Sequence, residues 1–531
     1  MMTSTRRDLL RRSLAGAAAL SLAPSLLAAC APAPAAPGGG PSAARAPATG
    51  GARLSATIVL PGQFVETMNP YAHSVGGIYP TWKHVIEPLV EYDFDKKQVS
   101  GVLAESWTNP DANTWLIKLR QDVKFHDGGD FTSADAVYSF VDRIQKDPDS
   151  KQAESFNNVD AVDAVDPHTV RLHTKNPDAA MLFRLFQRFI ISKAVHDQRG
   201  LAEGDKLAIG TGPYKFKEWV PGQRFVLEKN LSYTGPHTPT VDQVLLRPIT
   251  EQAASITALL NGEADLISNI TDENVARVTG PAYTATGRDL TIMFLGMNQA
   301  VVPEFKNKLV RQAVSYAIDR NAIVNGVLKG RAYPLDAPIG PPQYGYSPNL
   351  QPKYDYNPQK ARDLLAQAGY PNGFEVDFVS QTEQYPKVVD VSTALVSMLN
   401  DVGIQAKLTT REFTTVSNDL MAGKLPAFIQ GRGTVIDPSE YLHQYFQTGI
   451  TKRINYSNPE VDKALAAEQA ALDPAQRLPL LHQAMSLLLE EAPMAWLYQY
   501  QAVWGVSSRF DYQPAGTGEM YAWSLKPKGT V

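Results

Sequence analysis

Cysteine is almost absent from this 531-residue chain: Cys30 is the one copy, so no internal disulfide can form and stability must come from packing. The common enzyme signatures are missing too, with no G-x-S-x-G elbow, no H-E-x-x-H and no G-x-x-x-x-G-K-[ST] loop. The nine histidines are scattered. The closest pair, His168 and His173, falls in a strand and its turn rather than at helix-face spacing, so neither a metal centre nor another cofactor is implied. Gly210-Thr211-Gly212-Pro213 is not a phosphate loop, because Pro213 removes an N–H where such a loop needs donors; it reads as a tight turn. Asp127 and Asp130 around Gly128-Gly129 likewise read as turn chemistry. Fifty Lys and Arg against 54 Asp and Glu leave no basic excess for a nucleic acid. No apolar run reaches the ~20 residues of a membrane span.

What is present begins with an address. Arg6, Arg7, Arg11 and Arg12 precede an apolar stretch, Leu14 to Ala29, with small residues near its end, the layout of an export signal. Leu26-Leu27-Ala28-Ala29-Cys30 resembles the lipobox of bacterial lipoproteins, whose cysteine becomes the lipidated first residue of the mature chain. The alternatives are a buried structural cysteine or a short transmembrane anchor, but Ser21, Pro24 and Ser25 interrupt the apolar run. Thr5-Arg6-Arg7-Asp8-Leu9-Leu10-Arg11 also resembles a twin-arginine export motif, with the general secretory route as the other option. Residues 1–29 are thus an expected signal peptide and 30–53 a lipidated cysteine with a flexible linker. Residues 31–52 hold five prolines and no acidic group and cannot bury enough apolar surface to fold. Loss of the leader takes the net charge from −4 to −7. On this reading any membrane contact runs through Cys30, which is then no free nucleophile.

From Leu54 onward short strands and helices mix. Ala56 to Leu60 is strand-like; Thr114 to Arg120 alternates with Trp115, Ile117 and Leu119 on one face, and Thr169 to Lys175 alternates again. Thr132 to Asp135 reads as a capping box opening a helix through Ile144. Later helices are expected over Leu309–Leu328, Pro358–Ala368, Val461–Ala471 and Pro474–Glu491, the last pair split at Asp473-Pro474. The class is α/β with two or more lobes.

Several longer blocks follow in a fixed order: Asn69-Pro70-Tyr71, Glu87-Pro88-Leu89-Val90, Leu103 to Trp107, Val123 to Gly128, Phe131 to Ser139, Gly210 to Tyr214, Leu259 to Leu266, Val310 to Arg320 and Lys360 to Leu365. Together they resemble family 5 of the ABC-transporter solute-binding proteins, the peptide/nickel/oligosaccharide, oligopeptide-binding-protein type, over about residues 54–525. The resemblance implies a two-lobed periplasmic-binding-protein-like clamp (type II, cluster C) with an extra inserted subdomain. Lobe I would be 54–90, 205–294 and 501–531, the insertion 91–204 and lobe II 295–500. It implies a monomeric, non-enzymatic receptor, periplasmic or at the cell surface. Such a receptor captures a small polar solute between the lobes and delivers it to ABC permease subunits with their ATPases. A sensory or adaptor role not coupled to transport, and an exported hydrolase on the same scaffold, are the readings from other classes.

The resemblance also locates the candidate ligand residues. A lobe II loop precedes an Asp-Pro pair, here Gly431, Arg432, Gly433 and Thr434 before Asp437-Pro438. Peptide binders of the family carry an aspartate three residues before that pair, for the ligand's α-ammonium. Thr434 supplies no charge, and an unpaired buried ammonium costs several kcal/mol. The arginine that dipeptide binders place for the ligand carboxylate is missing from the matching loop, Ser380 to Pro386, which contains Gln384. A ligand without a free α-amine is therefore favoured: a blocked peptide, oligosaccharide, opine-like conjugate or metal chelate. Arg432 either meets the ligand or faces solvent; Gly431 and Gly433 would let backbone approach closely. Glu66, Met68 and Asn69 form a second candidate wall. Tyr498 and Tyr500 form a third, either stacking on the ligand or packing at the hinge. Trp82 and Trp504 read as core.

Overall fold

A computed structural model describes residues 53–61, 65–72, 79–433 and 435–529. The signal segment, Cys30, the linker and Thr434 lie outside the described residues.

Two strands dominate, Ala282–Met297 and Met494–Ser507, paired antiparallel along most of their length. Both are nearly continuous apolar runs (LTIMFLGM and MAWLYQYQAVWGV), as expected of strands covered on both faces. They are the spine of an eleven-stranded sheet. Toward one end, Ile292–Met297 pairs with Ala427–Arg432, and the sheet continues through parallel strands Phe374–Gln381 and Ile404–Arg411. Toward the other, Gly505 and Val506 pair with Leu266–Ile267, followed by Ser55–Leu60, Gln243–Pro248, Arg224–Lys229 and Tyr214–Val220. The two halves of the sheet are thus joined through the long pair. At the junction the register slips: Arg288 faces Gln501 and Ile292 faces Gln499, leaving two extra residues on the first strand. A bulge of this kind bends and twists a ladder. Its Leu290 is buried.

A separate antiparallel sheet, in the order Ala104–Asp111, Thr114–Leu119, Thr169–Thr174, Val159–Asp166, forms within the segment expected to be inserted. Trp115, Ile117 and Leu119 are buried along it, as their alternation predicts. Trp82 and Trp504 are both 1% exposed, which places them in the core.

Two helical expectations need correction. The helix opening at Thr132, whose N–H donates to Asp135 Oδ2 (2.9 Å), is regular only over Ser133–Val137 and continues as wider, π-type turns over Tyr138–Gln145. The run Leu309–Leu328 is not one helix. Lys308–Ala317 stops before Asp319, whose carboxylate accepts from Ala322 N–H (2.8 Å) and caps a new start. An apolar period alone cannot register such an internal cap. The Asp473-Pro474 start behaves as expected, with Asp473 accepting from Ala475 N–H (2.9 Å). No described helix is long and apolar enough to cross a membrane.

Candidate functional site

A cavity of about 800 Å³ lies between two walls that come from distant parts of the sequence. One wall is Lys151 to Asn157 together with Arg184 of helix Met181–Leu185 and, in the turn after it, Gln187 and Arg188. The other is the end of strand Ala427–Arg432 and helix Ser439–Phe446, with Arg432, Gly433, Glu440, His443 and Gln444. The lining is polar and carries four cationic side chains, Lys151, Arg184, Arg188 and Arg432, against the carboxylates Glu154 and Glu440. Such a surface is built for a hydrogen-bonding solute rather than an apolar one.

Each wall is held from behind. On the first, Asp178 is buried; its Oδ2 accepts from Arg184 Nε (2.8 Å) and its Oδ1 from Ala180 N–H (3.1 Å). Arg188 is buried, and desolvation pulls its guanidinium down to about 10. On the second, Asp437 forms a two-pronged pair with Arg477, and Arg477 Nε also donates to Glu468 Oε2 (3.1 Å). Glu468 Oε1 accepts from Ser439 Oγ and lies 3.2 Å from His443 Nε2, while His443 Nδ1 lies 2.8 Å from Gln447 Oε1. Burial opposes a charge on His443, but its Glu468 and Gln447 partners outweigh it and raise its pKa. With an acceptor oxygen facing each ring nitrogen, the protonated ring fits the geometry.

The walls also touch. Glu440 bridges them, with Oε1 3.0 Å from Arg432 Nη2 and Oε2 3.6 Å from Arg184 Nη1. Ala179 N–H donates to Gln469 O (2.9 Å). The rings of Phe183 and Tyr344 meet at 5.1 Å between centroids. Tyr92, Phe186 and Ile436 form an apolar cluster with Leu290 of the bulge.

The candidate residues divide sharply. Arg432 and Gly433 line the cavity. Gly431 is buried: a Cβ there would sit 2.7 Å from the Tyr385 ring and 2.8 Å from Met293 Sδ, so glycine serves packing at that position. At Gly433 the nearest atom would be 3.7 Å away, leaving that side open. Gln384 is exposed in the turn before helix Val388–Asp401 and outside the lining. Glu66 is exposed, Met68 is buried, and Asn69 accepts from Tyr71 N–H (2.9 Å) in a tight turn. That turn buttresses the first wall, since Tyr71 O accepts from Lys151 N–H (2.9 Å) and Pro70 O from Gln152 Nε2 (3.2 Å). Tyr498 and Tyr500 lie in the core beside the crossover, their hydroxyls 3.1 Å apart and Tyr500 donating to Pro386 O (2.9 Å). Sequence reasoning missed Arg184, Arg188, Glu440 and His443. The first two had a signal: cations inside the apolar run Phe183-Arg184-Leu185-Phe186-Gln187-Arg188-Phe189.

Known proteins share this architecture. The glutathione-binding protein GsiB of Salmonella typhi is 30% identical over 467 residues, covering 82% of this chain and 87% of that protein. The structure of HbpA2 from Haemophilus parasuis superimposes with a TM-score of 0.81 at 24% identity, covering 90% of this chain and 99% of the other. DppA from Helicobacter pylori, an ABC transporter-associated periplasmic binding protein in complex with the peptide STSA, gives 0.68 at 24% identity, with 90% and 99% covered. The chain shares the two-lobed clamp fold of these neighbours, and GsiB and DppA are binding proteins by name. Residues 98–452 match the family described as bacterial extracellular solute-binding proteins, family 5 Middle, and the chain belongs to that family.

Proposed function

We propose that this protein is the capture component of an ABC importer, exported and held at the membrane through lipidated Cys30. It takes a small polar solute of the peptide or peptide-like class and delivers it to the permease. The observation that carries the reading is the polar cavity walled by residues 151–188 on one side and 432–469 on the other. The lobes are taken as 54–90, 205–294 and 501–531 against 295–500, with 91–204 inserted in the first. Ligand contacts made by both walls exist only when they approach, so binding shifts the population toward the closed clamp. The relatives' ligands, glutathione and the peptide STSA, support the solute class. Threonine at 434, where peptide binders of the resembled type carry aspartate, favours a ligand without a free α-amine.

A ligand at 100 times its dissociation constant should stabilise the fold by about 2.7 kcal/mol. Thermal unfolding against peptides, N-blocked peptides, glutathione, oligosaccharides and metal chelates is expected to shift upward for one class only. A flat response across the panel would defeat the proposal. In the same screen Thr434→Asp should move preference toward free-amine peptides; an unchanged ranking would mean that this loop does not meet the amine end.

A further inference from the structure

We infer that Glu440 occupies the place of a ligand carboxylate, and that the solute is an anion which displaces it from between Arg184 and Arg432. This rests on the capture reading above and specifies its ligand. The two oxygens of Glu440 are divided between arginines of opposite walls, at 3.0 Å and 3.6 Å. An anionic ligand bridging the cleft would make the same two contacts. Glu440 itself is poorly committed, with its side chain 57% exposed and its helix anchored by other residues, Ser439 through Glu468 among them.

The arginines are better held and have capacity to spare. Arg184 is fixed by buried Asp178, so its position does not depend on Glu440. Arg432 Nε is shielded from solvent and has no hydrogen-bond partner among the described residues. Once the side chain turns Nε toward the cavity, an incoming carboxylate can accept from this fork in two-pronged geometry, which Glu440, reaching it through one oxygen, does not. Arg188 and Lys151 on the same lining add positive potential, against which Glu154 is the one other lining carboxylate. The desolvation that pulls Arg188 downward would be relieved by a second negative charge nearby.

The resident carboxylate then acts as a filter. It neutralises both arginines until a solute displaces it, and a neutral solute gains nothing by removing it. An anion must outcompete it, so its presence lowers the apparent affinity while preserving charge selectivity.

The test is calorimetric titration at low salt of the native protein, Glu440→Gln and Arg184→Gln. The probes are glutathione, acetyl-Glu-Ala-Glu and its neutral counterpart acetyl-Gln-Ala-Gln-amide. Glu440→Gln should bind the acidic probes about tenfold more tightly and the neutral one unchanged, and Arg184→Gln should weaken only the acidic probes. Thermal unfolding of each variant without ligand reports whether the fold is intact. Equal or weaker binding of the acidic probes by folded Glu440→Gln overturns the inference. So does binding of the neutral peptide alone, which leaves solute capture standing. No binding by any probe, together with a flat thermal panel, removes both.

Discussion

Replacing Arg477 by methionine should lower the free energy of unfolding by about 3–5 kcal/mol. The guanidinium is 2% exposed and joins two carboxylates, Asp437 at 3% and Glu468 at 0%. Burial works against the Arg477 charge, and Asp437 and Glu468 more than restore it. Burial likewise raises the pKa of Asp437 despite Arg477. Methionine fills similar space but leaves two buried acids without their shared guanidinium, with His443 still against Glu468 and Arg184 in the vicinity of Asp437. They must then either protonate or stay charged without compensation. The triple variant Arg477→Met, Asp437→Asn, Glu468→Gln should recover most of the loss, because the cost comes from stranded charge rather than from missing contacts. Denaturant unfolding of the three proteins decides this. A single-variant loss below about 1 kcal/mol, or a triple variant no better than the single, would show that solvent or a rearranged partner compensates the acids. Asp437 lies just before the helix that carries Glu440 and His443, and Arg477 Nη1 also reaches Ala179 O (3.4 Å) on the opposite wall. The same substitution should therefore weaken solute binding.

The scaffold was legible where one local rule decides the outcome. Trp115, Ile117 and Leu119 alternate into a core, and Asp473-Pro474 starts a helix, because period and capping act within a few residues. The break at Asp319 was hidden by an apolar period that runs through it. The cavity was harder still. Its walls lie some 250 residues apart in sequence, at 184–188 and 432–443, and tertiary contacts such as Arg184 to Glu440 and Ala179 to Gln469 join them. Arg432 was singled out from the loop that the family resemblance marks, and it lines the cavity. Arg184 and Arg188 stand as cations inside an apolar run, a local signal that marks them as unusual but does not say that they line a cleft. Tyr498 and Tyr500 looked suitable for stacking, yet they sit in a doubly covered strand where aromatic area is buried against the core.

The blocks that revealed the family are mostly not at the cavity, and their chemistry predicts a pH response. Glu87 of the Glu-Pro-Leu-Val block is buried, accepting from Tyr233 Oη (2.6 Å) and Thr211 Oγ1 (2.9 Å), and burial raises its pKa to about 7 despite both bonds. From pH 4.5 to 7 the folded state therefore holds a proton that the unfolded chain has released. Stability from this group is full below about 4.5 and falls by about 3 kcal/mol as pH rises to 7. His84 and His126 act in the opposite sense. Burial lowers each to about 4, in keeping with ring nitrogens that accept from backbone N–H groups, His84 Nε2 from Ala522 (2.9 Å) and His126 Nδ1 from Gly210 (3.4 Å). Below their unfolded pKa of 6.5 the unfolded chain binds these protons and the folded state does not, so the two contribute about 6 kcal/mol that is gained between pH 4 and 6.5. Among these three groups the two histidines outweigh Glu87 between pH 4 and 6.5. Glu87→Gln keeps an acceptor and a donor for the two hydroxyls and removes the opposing contribution. Its advantage over the native protein should grow by about 3 kcal/mol between pH 4.5 and 7.5, measured by denaturant unfolding at each pH. A constant difference across that range would mean that Glu87 is already ionised at low pH, held by its two hydroxyl donors against the cost of burial.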